Sequence, residues 1–170
     1  MFKWAAGQIT RWHVHPTIHN QTVGDHTYGV LQWLHYIVPV PLTERLMLAA
    51  LNHDFAELFT GDVPYTTKRL YPKIDHLLKE VEEDIHKNFD ACYKLFRHET
   101  YWLKFADLTE MGVYAAKERK LGNEFMDEVL QNVISALTEL MSDLSDMGQA
   151  TEEMFTIIKR LKQEQLSYGK

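Results

Sequence analysis

His53 and Asp54 are adjacent, and Glu57 follows three positions later. Read as part of a helix, His53 and Glu57 lie one turn apart on one face, with Asp54 between them in angle. One imidazole and two carboxylates then share a stripe, and the apolar run Leu46 to Leu51 ahead of it turns that stripe inward. Burying such groups without partners costs on the order of several kcal/mol. A divalent cation is one solution, because His nitrogen and carboxylate oxygen suit the same borderline metals. Two neighbours on one helix do not complete a coordination sphere, so further donors must come from other helices. His26, flanked by Asp25 and Thr27, is one candidate. Asp107, with Phe105 and Leu108 to anchor it in a core, is another. Spacing alone selects neither.

The frame for these residues is read as a single all-α domain spanning 1–170. The chain has 170 residues, 45% of them hydrophobic. A chain this long hides roughly 70% of its unfolded surface, enough for a core without staples. That apolar content excludes intrinsic disorder. The single Cys92 excludes a disulfide framework and fits a reducing compartment. No apolar run reaches the roughly 18 residues a membrane span needs, and the N-terminus lacks a signal-peptide core. A cytoplasmic protein is therefore expected. Lys and Arg total 18 against 24 Asp and Glu, a net charge of −6. That balance argues against a nucleic-acid coat protein, but a small anionic ligand remains compatible with it.

The segment through about Gln21 reads as irregular. A helix starts at Thr22, a suitable N-cap, and stops before Pro39-Val40-Pro41. Thr43 caps the next, which carries Glu44 in its first turn and runs through His53, Asp54 and Leu58 to Gly61. Gly61 to Pro64 reads as a loop. Further helices fit 73–88, 95–121, 123–144 and 151–165, with Asn123 and Thr151 as N-caps. The stripe Phe125, Val129, Val133, Ala136 and Leu140 is read as core or a subunit contact. The motif-bearing part covers about 11–125, and the helices of 123–165 pack on it or join subunits.

The order His26, His53-Asp54, Asp107 resembles the H…HD…D signature of the HD-domain metal-dependent phosphohydrolases. The flanks are more specific. Arg11-Trp12, the Val-x-Asp-His segment at 23–26, and the run from His53 to Pro64 resemble the YfbR-like 5′-deoxynucleotidases. The similarity extends through Lys68 and Asp107 to about Phe125. The short stretch between Asp54 and Asp107 is more similar to the compact phage dATP triphosphohydrolases called DatZ. The resemblance implies an HD-domain helical bundle with one divalent metal ion, cobalt, manganese or zinc, on His26, His53, Asp54 and Asp107. It implies that Glu57 activates or orients the attacking water and that Asp62 lies near the sugar hydroxyl or that water. It places Arg11 and Lys68 on phosphate and Trp12 against the sugar, disfavouring a 2′-hydroxyl. The expected reaction is hydrolysis at the α-phosphate of a 2′-deoxynucleoside 5′-phosphate, with a deoxyadenosine nucleotide favoured. A 5′-deoxynucleotidase of broad base range and a non-catalytic nucleotide-binding scaffold are the alternatives. Relatives of this kind assemble, so a homo-oligomer, dimer or hexamer, is expected.

Simpler readings stand beside these. Arg11-Trp12 could be a stacked surface pair, Asp62 a turn residue, and Lys68 a solvated cation. Val14, two residues past Trp12, is a candidate base contact or an apolar contact at a core edge. His13, His15 and His19 share no helix face and read as loop histidines. Cys92 reads as a small buried apolar residue.

Overall fold

The computed structural model describes residues 3–167, apart from the side chains at 65, 66 and 69. Among the described residues the fold is helical, with no strand beyond one isolated bridge between Thr10 and Thr22. A short 3-10 helix at Lys3–Gln8 precedes eight α-helices. These are α1 Val23–Ile37, α2 Glu44–Asn52, α3 Glu57–Thr60, α4 Tyr65–Leu70, α5 Pro72–Asn88, α6 Arg97–Lys120, α7 Met126–Asp146 and α8 Glu152–Ser167.

α1 begins as its sequence prescribes. The Asp25 backbone N–H donates to the Thr22 hydroxyl, and the Asp25 carboxylate accepts from the Thr22 N–H, a reciprocal capping box. Thr43 caps α2 through the Leu46 N–H at 3.2 Å. The long helix α6 is the spine, packed between α1 and α7, with α8 closing the far side. Val30, Leu34 and Ile37 of α1, Phe105 and Ala106 of α6, Leu130 and Leu137 of α7, and Met154 and Leu161 of α8 form one continuous core. The helices of 126–167 thus complete the same core as the motif-bearing part.

Several expectations change here. The helix expected over 44–61 is broken: α2 ends at Asn52, and 53–56 is a tight turn before α3. The segment between Pro64 and the helix expected from 73, to which no element was assigned, forms α4. On α7 the core face is Met126, Leu130, Val133, Ile134, Leu137, Met141 and Leu144. Of the expected stripe Val133 is buried in it, Val129, Ala136 and Leu140 pack half-buried at its margin, and Phe125 is 71% exposed. Asn123 does not cap α7. Its amide donates to the Pro16 carbonyl and to Glu118. Cys92 is exposed.

The N-terminal segment is irregular in outline but firmly held. Arg11 N–H donates to the Gln21 carbonyl at 2.8 Å and Val23 N–H to Ile9 at 2.8 Å, which lays 9–11 beside 21–23. Glu118 on α6, fully buried, accepts from the backbone N–H groups of Ile18 at 2.7 Å and His19 at 2.8 Å. Burial alone would raise this carboxyl, but the Ile18, Asn123 and His19 donors outweigh it and hold it low. The connection of 13–20 is thereby fastened to the spine, and Arg11-Trp12 is carried to the N-terminal end of α1.

Candidate active site

Three elements bring the expected residues together. His26 lies one turn into α1 and is fully buried. His53 and Asp54 sit where α2 ends, and Asp107 lies midway along α6. His26 Nε2 is 3.2 Å from His53 Nε2, 3.2 Å from Asp107 Oδ1 and 3.5 Å from Asp54 Oδ2. His53 Nε2 is 3.3 Å from Asp54 Oδ2. Ligand atoms of His26, His53 and Asp107 therefore lie within 4.8 Å of one another, and Asp54 Oδ2 stands beside the two histidines. A cation bound at about 2.1 Å by such atoms holds them roughly 3.0–3.4 Å apart.

The hydrogen bonds on the far side of each imidazole say what belongs at that point. His53 Nδ1 lies 2.7 Å from the Ala50 carbonyl, which can only accept, so this nitrogen carries a hydrogen. Ala50 is in the last turn of α2, where carbonyls lack helical partners, so the end of the helix itself orients His53. His26 Nδ1 bonds to Glu110 in the same sense. Both Nε2 atoms are then lone pairs facing each other and two carboxylates. Such a set of acceptors requires a positive species between them, and a divalent cation fits. Without one, the cluster gathers a proton. Burial opposes charge on His26, yet hydrogen bonds to Asp107 and Glu110 carry it up to about 9. Burial also opposes charge on Asp107, but Lys104 and His26 hold it well below the usual carboxylate range. Lys104 Nζ donates to Asp107 Oδ2 at 2.7 Å.

The turn at 53–56 places Glu57. Glu57 N–H donates to the Asp54 carbonyl at 3.1 Å and Phe55 N–H to Asn52 at 3.1 Å, the i to i−3 pattern of a 3-10 turn. In that geometry residues three apart eclipse. Glu57 is thus aligned with Asp54 rather than with His53, and its position does not depend on the continuous α-helix expected from the spacing. Its Oε2 is buried without a hydrogen-bond partner among the described residues. Burial first, then the charge of Asp54, pushes its carboxyl up to about 8. Arg11 and Lys68 act on it in the opposite direction.

Arg11 donates to Asp54 Oδ2 at 2.7 Å, and its Nε is buried with no partner among the described residues. Burial opposes its charge, and Asp54, Glu57, Asp107 and Asp62 together restore it. Trp12 adopts a positive φ of 61°, unfavourable for a bulky residue. It is held there by three contacts. Its N–H donates to Asp62 Oδ2 at 3.1 Å, its indole N–H donates to Gln21 Oε1 at 2.8 Å, and its ring stacks on Tyr114 at 5.3 Å. The simple surface-pair reading of Arg11-Trp12 therefore fails. Asp62 lies in the loop after Gly61, as a fastener of Trp12. Lys68 on α4 is 31% exposed and 3.8 Å from Glu82. Val14 stands apart from the cluster, 55% exposed beyond Trp12. Of the three loop histidines, His19 pairs with Glu118 at 3.3 Å and His15 meets the Trp12 ring edge.

The sequence reading missed Gln21, Lys104 and Glu110. Lys104 and Glu110 lie three residues on either side of Asp107, a helical spacing that could have shown them. Gln21 has no such signal. Asp25, next to His26 in sequence, is spent on the helix cap, and Glu110 supplies the carboxylate that meets His26.

The comparisons with known proteins agree with this geometry. The chain is similar to the 5′-deoxynucleotidase PM0747 of Pasteurella multocida, at 21% identity over 94% of this chain and 83% of that protein. It is also similar to the 5′-deoxynucleotidase YPTB2590 of Yersinia pseudotuberculosis, at 24% over 94% and 82%. Among solved structures, the PH0347 protein from Pyrococcus horikoshii superposes with a TM-score of 0.70 at 21% identity, covering 93% and 95% of the two chains. The cyanophage S-2L HD phosphohydrolase DatZ, bound to dA and one catalytic Zn2+, superposes with a TM-score of 0.65 at 19% identity and 95% coverage of both. The profile of the family described as 5′-deoxynucleotidase YfbR-like matches residues 6–157. The chain, an all-α HD-domain hydrolase, belongs to the YfbR-like 5′-deoxynucleotidase family.

Proposed function

We propose that this protein hydrolyses a 2′-deoxynucleoside 5′-phosphate at the α-phosphorus and releases the deoxynucleoside, using one divalent cation seated among His26, His53, Asp54 and Asp107. The observation that carries this reading is the cluster of His26, His53 and Asp107 ligand atoms within 4.8 Å of one another, with Asp54 beside the two histidines and bonded to Arg11. A cation held there supplies Lewis acidity toward a phosphoryl oxygen and makes the attacking water more acidic. The remaining tasks belong to the chain. Arg11 offers its unspent buried Nε–H to a phosphate oxygen. Glu57 offers its unspent Oε2 to a proton of the attacking water. The water oxygen bonds to phosphorus and the P–O5′ bond breaks; O5′ takes a proton from solvent to leave as the nucleoside hydroxyl, Glu57 returns the one it took to solvent, and the water's second proton stays with the phosphate. Trp12, clamped between Tyr114, Gln21 and Asp62, presents a rigid wall against a 2′-hydroxyl, and Asp62 serves by holding it. Lys68 adds a point charge beside the phosphate, and Val14 lies on the base side.

The favoured substrate is a deoxyadenosine nucleotide, dATP with dADP and dAMP behind it, with zinc, cobalt or manganese as the cation. The dA and Zn2+ of the DatZ neighbour support this choice. Hydrolysis of all deoxynucleoside monophosphates is the second reading, favoured by the curated 5′-deoxynucleotidases. A cytoplasmic homo-oligomer, dimer or hexamer, of this single domain completes the proposal. The exposed Ile74, Leu77 and Val81 on one side of α5 support assembly.

The test is a panel of the eight ribo- and deoxyribonucleoside monophosphates and the four dNTPs with Mn2+, Co2+ or Zn2+. Deoxynucleoside release is expected, and triphosphate from dATP separates the first reading from the second. No hydrolysis with any metal, or full activity in Asp54→Ala, overturns the proposal.

A further inference from the structure

A hydrogen-bonded chain runs through the protein behind the site. The Trp12 indole N–H donates to Gln21 Oε1 at 2.8 Å, and Gln21 Nε2 donates to Glu110 Oε1 at 2.8 Å. Glu110 Oε2 meets His26 Nδ1, whose other ring nitrogen faces His53 and Asp107. Gln21 is 5% exposed and His26 fully buried, so water does not substitute for these partners. The sense of the chain is set at one end. An indole N–H only donates, so the carbonyl of Gln21 must face Trp12 and its amide must face Glu110. Both Glu110 oxygens then accept, one from Gln21 and one from His26. His26 must hold its hydrogen on Nδ1, which leaves Nε2 as a lone pair.

Space for this arrangement is built into α1. Gly29 lies in the helix interior, one turn after His26, where glycine costs roughly 0.5–1 kcal/mol relative to alanine. A Cβ at position 29 would stand 2.6 Å from Glu110 Cγ. The glycine keeps the path of the Glu110 side chain open.

We propose that Gln21 and Glu110 are positioning residues that fix the Nδ1–H tautomer of His26 and tie it to Trp12, so that the cation site and the sugar-facing ring are held as one unit. The proposal rests on the reading of His26 as a cation ligand, but not on turnover. Its logic predicts an unusual pattern of variants. In Glu110→Gln the new amide presents a donor either to Gln21 or to His26. Toward His26 it forces the hydrogen onto Nε2, which removes the lone pair. Toward Gln21 it forces Gln21 to flip, setting donor against donor at Trp12. In Trp12→Phe that last conflict disappears, so Gln21 can flip freely and Glu110→Gln becomes tolerable.

The experiment measures Zn2+ and Co2+ affinity by calorimetry on the full chain, free of nucleotide. Trp12→Phe alone is expected to leave affinity nearly unchanged. Glu110→Gln is expected to weaken it by about 10–100-fold, as lost outer partners of metal-bound histidines do. The double variant is expected to recover most of that loss. Gly29→Ala, which displaces Glu110 while favouring the helix, is expected to weaken affinity without lowering Tm. Nitrogen NMR of the labelled wild type should show His26 as the Nδ1–H tautomer with Zn2+ bound, and the Trp12 indole signal should shift on adding Zn2+. Unchanged affinity in both Glu110→Gln and Gly29→Ala overturns the proposal. So does additive loss in the double variant, or a Trp12 signal indifferent to Zn2+. If Glu110→Gln does not fold, Gly29→Ala and the indole signal decide. Failure of the hydrolysis panel with intact coupling of this kind would reject the substrate reading alone.

Discussion

At the scale of the residue, the site is organised by what each polar atom has already been given. The far nitrogens of His26 and His53 are spent on Glu110 and Ala50, which leaves the near nitrogens for a cation. Arg11 Nε and Glu57 Oε2 are left with no partner among the described residues, a buried donor and a buried acceptor. Unpaired buried groups are expensive, and a phosphate oxygen and a water proton are their natural complements. Glu57→Gln should therefore keep the fold and still gain thermal stability when Zn2+ or Mn2+ is added. Its kcat should fall by roughly 10²–10⁴. Turnover within threefold of wild type would show that Glu57 does not handle the proton. Residue chemistry and spacing singled out His53, Asp54 and Glu57, whereas His26 and Asp107 joined them only through the resemblance to the H…HD…D signature. Gln21 was not, because an amide becomes informative only when its two neighbours are known.

At the scale of the element, one helix end and one tight turn set the geometry. α2 stops at Asn52, and its last turn orients His53 through the Ala50 carbonyl. The 3-10 turn that follows aligns Asp54 with Glu57. The apolar period of 44–58 suggested a continuous helix, because a single 3-10 turn barely alters that period. On α6, Asp107, Glu110, Tyr114 and Glu118 follow helical spacing and form a polar stripe on a partly buried helix. The stripe serves the site at one end and fastens the N-terminal connection at the other. Glu118 and Glu99 are both held below their ordinary value, burial being outweighed by backbone and side-chain donors. A folded value below the unfolded one, about 4.3, gives stability that is present above that pH. It is lost as pH falls through the lowered folded value. Urea unfolding of the wild type between pH 7 and pH 3 should show this acid limb. Glu118→Gln should be less stable at pH 7 by about 1–3 kcal/mol and should lose less on acidification. Parallel curves for the two proteins would refute the assignment.

At the scale of the whole molecule, the site is assembled by a core to which the last helix belongs. Leu161 of α8 is 3% exposed and packs at Gly112 of the spine. Leu161→Ala should cost about 2–5 kcal/mol, read as a loss of equilibrium stability in denaturant melts with one cooperative transition. Two transitions would show that α8 folds apart from the motif-bearing part. The helical class and most helix positions followed from the sequence, since caps at Thr22 and Thr43 and the breaks at Pro39 and Gly61 are local signals. The core face of α7 did not, because several apolar stripes fit one helix and only the neighbouring helices choose among them.

The sequence alone determined the kinds of groups available and their order: His26, His53-Asp54 and Asp107 in the pattern of a family signature, Glu57 after the pair, and Arg11-Trp12 ahead of them. Local propensity and side-chain chemistry act within a few residues of chain, as at His53, Asp54 and Glu57. Tertiary structure alone decided which partners complete them. Gln21 reaches Glu110 across 89 positions, and Ile18 reaches Glu118 across 100. Hydrogen bonds over such separations depend on where packed helices bring their faces, and no local pattern of residues encodes that.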